Sequence, residues 1–231
     1  MYSFKELRKR VWEANMKLPK KNLVIYTFGN VSGIDRDHGI IAIKPSGVPY
    51  EELTPDMMVL VDMDNNVIDS SFKPSSDTKT HLILYKNFPN IGGVVHTHSP
   101  YATAWAQAQK SIPCLGTTHA DHIYGDIPCT GLISDKQIES DYEEETGNQI
   151  IEQFKNLSYE DMPMVLLAAH GPFTWGETPQ KAVYNSVILE ELAKIAIFTL
   201  AIDPTAKSIK KTLIDKHFLR KHGKNAYYGQ K

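Results

Sequence analysis

Ile91-Gly92-Gly93-Val94-Val95-His96-Thr97-His98-Ser99-Pro100 is the stretch on which the reading of this chain turns. Side chains alternate along a strand, so the two histidines closing this apolar run share one side. Ser99-Pro100 stops the strand and opens a helix. Two imidazoles converging at a strand end suit a divalent transition metal. A second apolar run, Met164-Val165-Leu166-Leu167-Ala168-Ala169, leads to His170 and Gly171-Pro172. Three histidines at two strand ends point to a metal enzyme.

Outward from these runs, strand and helix signals interleave. Ser3 and Glu6 form a capping box for a first helix to about Met16, with Leu7, Val11, Ala14 and Leu18 as its apolar stripe. Leu23–Phe28 and Gly39–Ile43 read as strands, and Met57–Asp62 with Asn66–Asp69 as a hairpin around Met63-Asp64-Asn65. A helix is expected from Asp77 to Tyr85 with Ser76 as its cap, and another from Ser99 to Gln109. Cys114–Thr130 reads as short strands and loops. Helices follow at Glu139–Leu157, at Thr178 to about Ala201, broken by Asp203-Pro204, and at Ser208–Lys221. This alternation argues for an α/β sheet covered by helices.

The 231 residues are 42% hydrophobic, enough for one domain with a sizeable core, and no repeat or linker divides residues 1–231. A net charge of −2 gives no reason to expect a nucleic-acid or membrane partner. The N-terminus has no apolar core of a signal peptide and no run is long enough to span a bilayer, so a cytoplasmic enzyme is expected. Two cysteines, Cys114 and Cys129, make no disulfide framework.

Three histidines need a carboxylate or water to complete a site. Asp77, at a helix start, is a candidate; it also complements the helix dipole there. A rival cluster, His119-Ala120-Asp121-His122, reads as a loop that supplies an acid/base group. Three segments suit an anion: Gly29-Asn30-Val31-Ser32, Lys44-Pro45-Ser46-Gly47 and Pro74-Ser75-Ser76. Their hydroxyls and N–H groups can bond phosphate oxygens, and Lys44 adds positive charge. Each alone is an ordinary turn signal; together they point to a small phosphorylated ligand.

With these pieces in place the chain resembles the epimerase branch of the class II aldolase/epimerase family. The resemblance is carried by Thr27-Phe28-Gly29-Asn30-Val31-Ser32, Ile43-Lys44-Pro45-Ser46-Gly47-Val48 and Lys73-Pro74-Ser75-Ser76-Asp77-Thr78. It continues through Val95-His96-Thr97-His98-Ser99, Gly116-Thr117-Thr118-His119-Ala120-Asp121, His170-Gly171-Pro172-Phe173, Leu219-Arg220-Lys221-His222-Gly223 and Tyr227-Tyr228-Gly229-Gln230. It implies a three-layer α/β/α fold with a central, largely antiparallel sheet. It implies one zinc ion per subunit on Asp77, His96, His98 and His170, and Asp121 with Tyr228 as the acid/base pair, Tyr227 being the alternative to Tyr228. Phosphate and substrate contacts are implied for Gly29, Asn30, Lys44, Ser46, Gly47, Ser75 and Ser76. His217 and Arg220 resemble residues that line the site of a neighbouring subunit in a homotetramer. The implied reaction interconverts L-ribulose 5-phosphate and D-xylulose 5-phosphate by retro-aldol cleavage of C3–C4, rotation of the aldehyde and re-addition. Catabolism of L-arabinose and of L-ascorbate both pass through that ketopentose phosphate. Two departures are noted: His122 stands where an aromatic residue is usual, and Ala168-Ala169 precede His170 where more polar residues occur.

Two other readings compete. An aldolase of the same family, acting on a substrate such as L-fuculose 1-phosphate, would share the metal and phosphate residues but carry a longer glutamate at position 77. Proteins of this fold also serve as domains of cytoskeletal proteins, and such a module would lose the metal ligands that this chain keeps.

Overall fold

The structure, a computed structural model, describes residues 4–222 and 226. Along the chain run α1 (Lys5–Asn15), α2 (Lys17–Lys20), β1 (Asn30–Asp35), β2 (Ile40–Ile43), β3 (Val59–Asp62), β4 (Val67–Asp69), α3 (Thr78–Asn87), β5 (Gly93–His96) and α4 (Pro100–Gln107). After them come α5 (Thr117–Ala120), α6 (Asp135–Ile138), α7 (Tyr142–Gln153), β6 (Met164–Leu166), β7 (Pro172–Gly176), α8 (Pro179–Ile202) and α9 (Lys211–His222). The strands form one sheet in the order β4-β3-β2-β1-β5-β7-β6. Every ladder in it is antiparallel.

The period-2 alternation of strand side chains divides the core between the two faces of this sheet. Val31, Ile40, Ala42, Leu60 and Val95 pack with Leu7, Val11, Ala14 and Leu18 of the first helical segment. Ile41, Ile43, Val59, Val61 and Val94 pack on the opposite face with Leu82, Leu84 and Tyr85 of α3 and Ile150 of α7. Helices therefore cover both faces, which is the expected three-layer α/β/α arrangement. Glycines allow the close approach: a Cβ on Gly93 would lie 2.4 Å from both N and Cα of Pro179 at the start of α8. Thr178 caps that helix by accepting from the Lys181 N–H. No helix among the described residues is long and apolar enough to cross a membrane, and both cysteines are free.

Several local expectations are corrected. Leu23–Phe28 is not a strand. Leu23 is buried but Ile25, Tyr26 and Phe28 are exposed, and Tyr26 takes a left-handed φ of 53°. The first strand starts instead at Asn30, where the polar Asn30 and Ser32 hid the alternation. Ser76 does not cap α3; Asp77 occupies that position, without a capping hydrogen bond from its side chain. His119 and Ala120 belong to α5 rather than to a loop. A further strand, β7, follows His170, beyond the strand expected before it. The hairpin around Asn65 forms as expected, with Asn65 at φ 67°. Ser3 and the segment Tyr227-Tyr228-Gly229-Gln230 lie outside the described residues.

Candidate metal centre and anion cleft

The ladder registers place Asn30 beside His96 and His96 beside Phe173, one row across three neighbouring strands on the α3 face. His96 is the last residue of β5. Its Nδ1–H donates to the Pro172 carbonyl at 3.0 Å, which leaves the Nε2 lone pair free to face outward. His98 lies two residues past the strand end, yet its Nε2 is 3.0 Å from His96 Nε2. His170 arrives on a tight turn in which Ala169 adopts φ 61°, a left-handed conformation costing a non-glycine residue about 1 kcal/mol. That turn is held by the Ala169 N–H on the Ala106 carbonyl at 2.8 Å and the Leu167 N–H on the Gly171 carbonyl at 2.9 Å. Gly171 is required here: a Cβ would meet the Thr97 carbonyl oxygen at 2.8 Å.

One nitrogen of each of His96, His98 and His170 lies within 4.8 Å of the others. The edge of a tetrahedron with Zn–N bonds of ~2.0–2.1 Å is about 3.3 Å, so this donor set suits such an ion. Burial, together with the neighbouring histidines, pulls His98 below the ordinary imidazole range and His170 down to about 4. Unprotonated imidazoles are the form that ligates. Asp77 stands beside this group. Burial alone would push its carboxyl up, but His96, His81 and the Asn30 amide together hold it below the usual range. Asn30 Nδ2 donates to Asp77 Oδ2 at 2.6 Å and to Ser75 Oγ at 3.0 Å.

These residues line a cleft of about 490 Å³ that also takes in Gly29, Lys44, Ser46, Gly47, Ser75 and Ser76. The Lys44 and Ser75 loops are clamped side by side: the Ser46 N–H bonds the Lys73 carbonyl at 3.0 Å and the Ser75 N–H bonds the Lys44 carbonyl at 3.1 Å. Those two amides are thus engaged within the protein. These loops present the exposed Ser46 and Ser76 hydroxyls and the Ser75 hydroxyl, which also accepts from the Asn30 amide and donates to Asp77 Oδ2 at 3.4 Å. Lys44 is 2% exposed. Its Nζ donates to the carbonyls of Val48, Thr27 and Pro45 at 2.9, 3.3 and 3.4 Å and sits 4.9 Å from the Tyr50 ring centroid. Burial lowers its pKa to about 8. With all three N–H bonds used on neutral groups, it acts on an anion as a nearby charge.

Asp121, His217 and Arg220 form a separate group, brought together by the packing of α5 against α9. Arg220 Nη2 donates to both carboxylate oxygens of Asp121 at 2.8 Å, and His217 Nδ1 lies 3.0 Å from Oδ1. Burial tends to raise the Asp121 pKa, but His217 and Arg220 win and lower it. None of the three lines the histidine cleft. Sequence reasoning missed Tyr142 and Glu143, which enter the cleft because α7 packs on α3; the Tyr142 hydroxyl is 3.3 Å from His170 Nδ1. No local pattern marks them.

Known proteins share both the fold and the sequence. The chain is 52% identical over 226 residues, 98% of its length and 99% of the relative's, to "L-ribulose-5-phosphate 4-epimerase UlaF" of Salmonella paratyphi C (strain RKS4594). Identity is the same to the protein of that name from Salmonella choleraesuis (strain SC-B67). Among solved structures, an L-fuculose 1-phosphate aldolase superposes with a TM-score of 0.77 at 23% identity, covering 94% of this chain and 96% of that one. YgbL of Escherichia coli, a putative aldolase/epimerase/decarboxylase, superposes at 0.70 with 27% identity, covering 92% and 97%. Residues 9–197 match the family described as Class II Aldolase and Adducin N-terminal domain, and the chain belongs to that family.

Proposed function

We propose that this protein is a zinc-dependent epimerase that interconverts L-ribulose 5-phosphate and D-xylulose 5-phosphate. The observation that carries the reading is one cleft in which three converging imidazoles and Asp77 face a buried lysine held only by neutral groups. Such a cleft suits a ligand with metal-binding oxygens at one end and a phosphate at the other. The 52% identity to proteins named as this epimerase supports the choice of substrate.

The hydrogen at C4 is not acidic, because no carbonyl adjoins it. The C2 carbonyl can instead stabilise negative charge at C3, so inversion is feasible by breaking and re-forming C3–C4. A divalent metal held by His96, His98, His170 and Asp77 would supply Lewis acidity at the C2 and C3 oxygens. The protein must then keep the departing two-carbon aldehyde from escaping. Lys44 and the hydroxyls of Ser46, Ser75 and Ser76, with Gly29, Asn30 and Gly47 shaping the wall, would hold its phosphate while the aldehyde turns its other face. The C4 hydroxyl proton must leave on one face and return on the other, which needs two groups. Asp121 is one and Tyr228 the other.

Asp121 lies off the cleft within one chain, so it would reach a cleft from a neighbouring copy, with His217 and Arg220 alongside. A homotetramer with its sites between subunits fits that requirement. The exposed Tyr184, Phe198 and Ile202 of α8 and Leu219 of α9 are apolar surface that such an assembly could cover. The test is to incubate the protein with L-ribulose 5-phosphate and identify the product. Xylulose 5-phosphate supports the reading; free glycolaldehyde phosphate without it indicates an aldolase.

A further inference from the structure

His81 belongs to α3, one turn beyond Asp77, and its backbone N–H donates to the Asp77 carbonyl at 3.1 Å. Its side chain is fully buried. The ring meets Phe173 in a T-shaped contact with centroids 5.9 Å apart, and Phe173 also stacks on the His96 ring at 4.2 Å. On its other side, His81 Nδ1 is 2.7 Å from Ser32 Oγ, which is 2.8 Å from the Tyr85 hydroxyl. Three polar groups thus run in line through an apolar layer directly behind the histidine cleft.

Counting protons along this line fixes its direction. If His81 carried its proton on Nδ1, it would donate to Ser32, Ser32 to Tyr85, and the buried Tyr85 hydroxyl would need a further acceptor. In the opposite sense Tyr85 donates to Ser32 and Ser32 to His81 Nδ1, so both hydroxyl protons are used. The ring proton then sits on Nε2. That nitrogen is buried and has no hydrogen-bond partner, and neither has the buried Oδ1 of Asn30. Asn30 and Ser32 point to the same face of β1, and Asn30 is the residue that grips the Asp77 carboxylate. The relay therefore ends in an unmet donor on His81, and Asn30 holds an unmet acceptor; both residues touch Asp77, His81 through its backbone N–H and Asn30 through its side-chain amide.

We propose that His81 is a positioning residue for the metal centre: the Tyr85–Ser32 relay locks it as the Nε2–H tautomer, and that N–H orients the Asn30–Asp77 pair. This rests on the reading of the cleft as a metal site. Outer partners of metal ligands typically hold about 10–100-fold in affinity.

Two measurements test it. Nitrogen-15 NMR of the ring in the wild-type protein is expected to show a protonated Nε2 and a bare Nδ1; a protonated Nδ1 overturns the proposal. Zinc affinity, by competition with a chromophoric chelator, is then compared in His81→Leu and His81→Gln, whose amide nitrogen can stand in for Nε2–H. His81→Leu is expected to weaken zinc about 10–100-fold and His81→Gln to recover most of the loss. Equal affinity in both variants overturns the proposal. Should His81→Leu not fold, Ser32→Ala serves: a change of tautomer with weakened zinc supports the relay, and no change in either refutes it. A wild-type protein that takes up no zinc defeats the metal reading itself, and this inference with it.

Discussion

His96 and His98 bring their Nε2 atoms to 3.0 Å although the strand ends between them. Two bare imidazole nitrogens this close repel unless a proton or a cation lies between them. The Pro172 carbonyl takes the other ring proton of His96, which fixes the orientation from behind. Replacing His98 by Ala should therefore lower zinc affinity by more than the roughly 10–100-fold that an outer partner controls, and abolish turnover. Metal analysis after dialysis, with a folding check by circular dichroism, decides this. Retention of a full metal equivalent would remove His98 from the ligand set.

Lys44 gives a pH dependence of definite sign. Its pKa is lowered to about 8 by burial, so it carries its charge below that pH and loses it above. KM for a phosphorylated substrate should rise as pH passes through about 8, with kcat less affected. Folding stability should change the other way. The unfolded chain, with an ordinary lysine, binds the extra proton between about 8 and 10.5, so this group favours the folded state increasingly as pH rises across that window. Lys44→Met should raise KM about 10–100-fold at pH 7 and flatten the KM profile. An unaltered KM would place the phosphate elsewhere.

The division of the site between copies is open to complementation. His98→Ala and Asp121→Asn should each be inactive, the second with its metal content intact. Mixed by unfolding and refolding together, they should recover up to about a quarter of wild-type activity, because some interfaces then pair an intact metal side with an intact Asp121. No recovery, from variants shown to co-assemble, would place both residues in the site of a single chain.

Much of this arrangement was legible in the sequence. His96, His98 and His170 stood out because apolar runs lead into them and turn residues follow. The Lys44 and Ser75 loops were found by composition, but the sequence could not say that their amides bond each other, since that depends on the Pro45–Pro74 bridge. By composition Asn30 belongs to the anion-binding segment Gly29-Asn30-Val31-Ser32, whereas it is the first residue of β1. Its side chain faces polar partners, so the apolar alternation that marks a strand is missing there. Tyr142 reaches His170 only through the packing of α7 on α3, a contact with no trace in local spacing. Leu23–Phe28 misled in the opposite way: apolar residues suggested a strand, but Ile25, Tyr26 and Phe28 lie on the surface.

Gly93 tests the packing that holds the cleft. A methyl group there would press on the Pro179 backbone at 2.4 Å, and backbone cannot yield as a side-chain tip can. Gly93→Ala should destabilise the fold by about 1–3 kcal/mol, read from the midpoint of denaturant unfolding. An unchanged midpoint would mean that the start of α8 can shift without cost.

The most direct measurement couples conversion of L-ribulose 5-phosphate to detection of D-xylulose 5-phosphate, on the protein as purified, after chelation, and after zinc is restored. The account predicts turnover that chelation abolishes and zinc returns. Xylulose 5-phosphate formed at an undiminished rate by metal-free protein, or none formed by zinc-loaded protein, would contradict it.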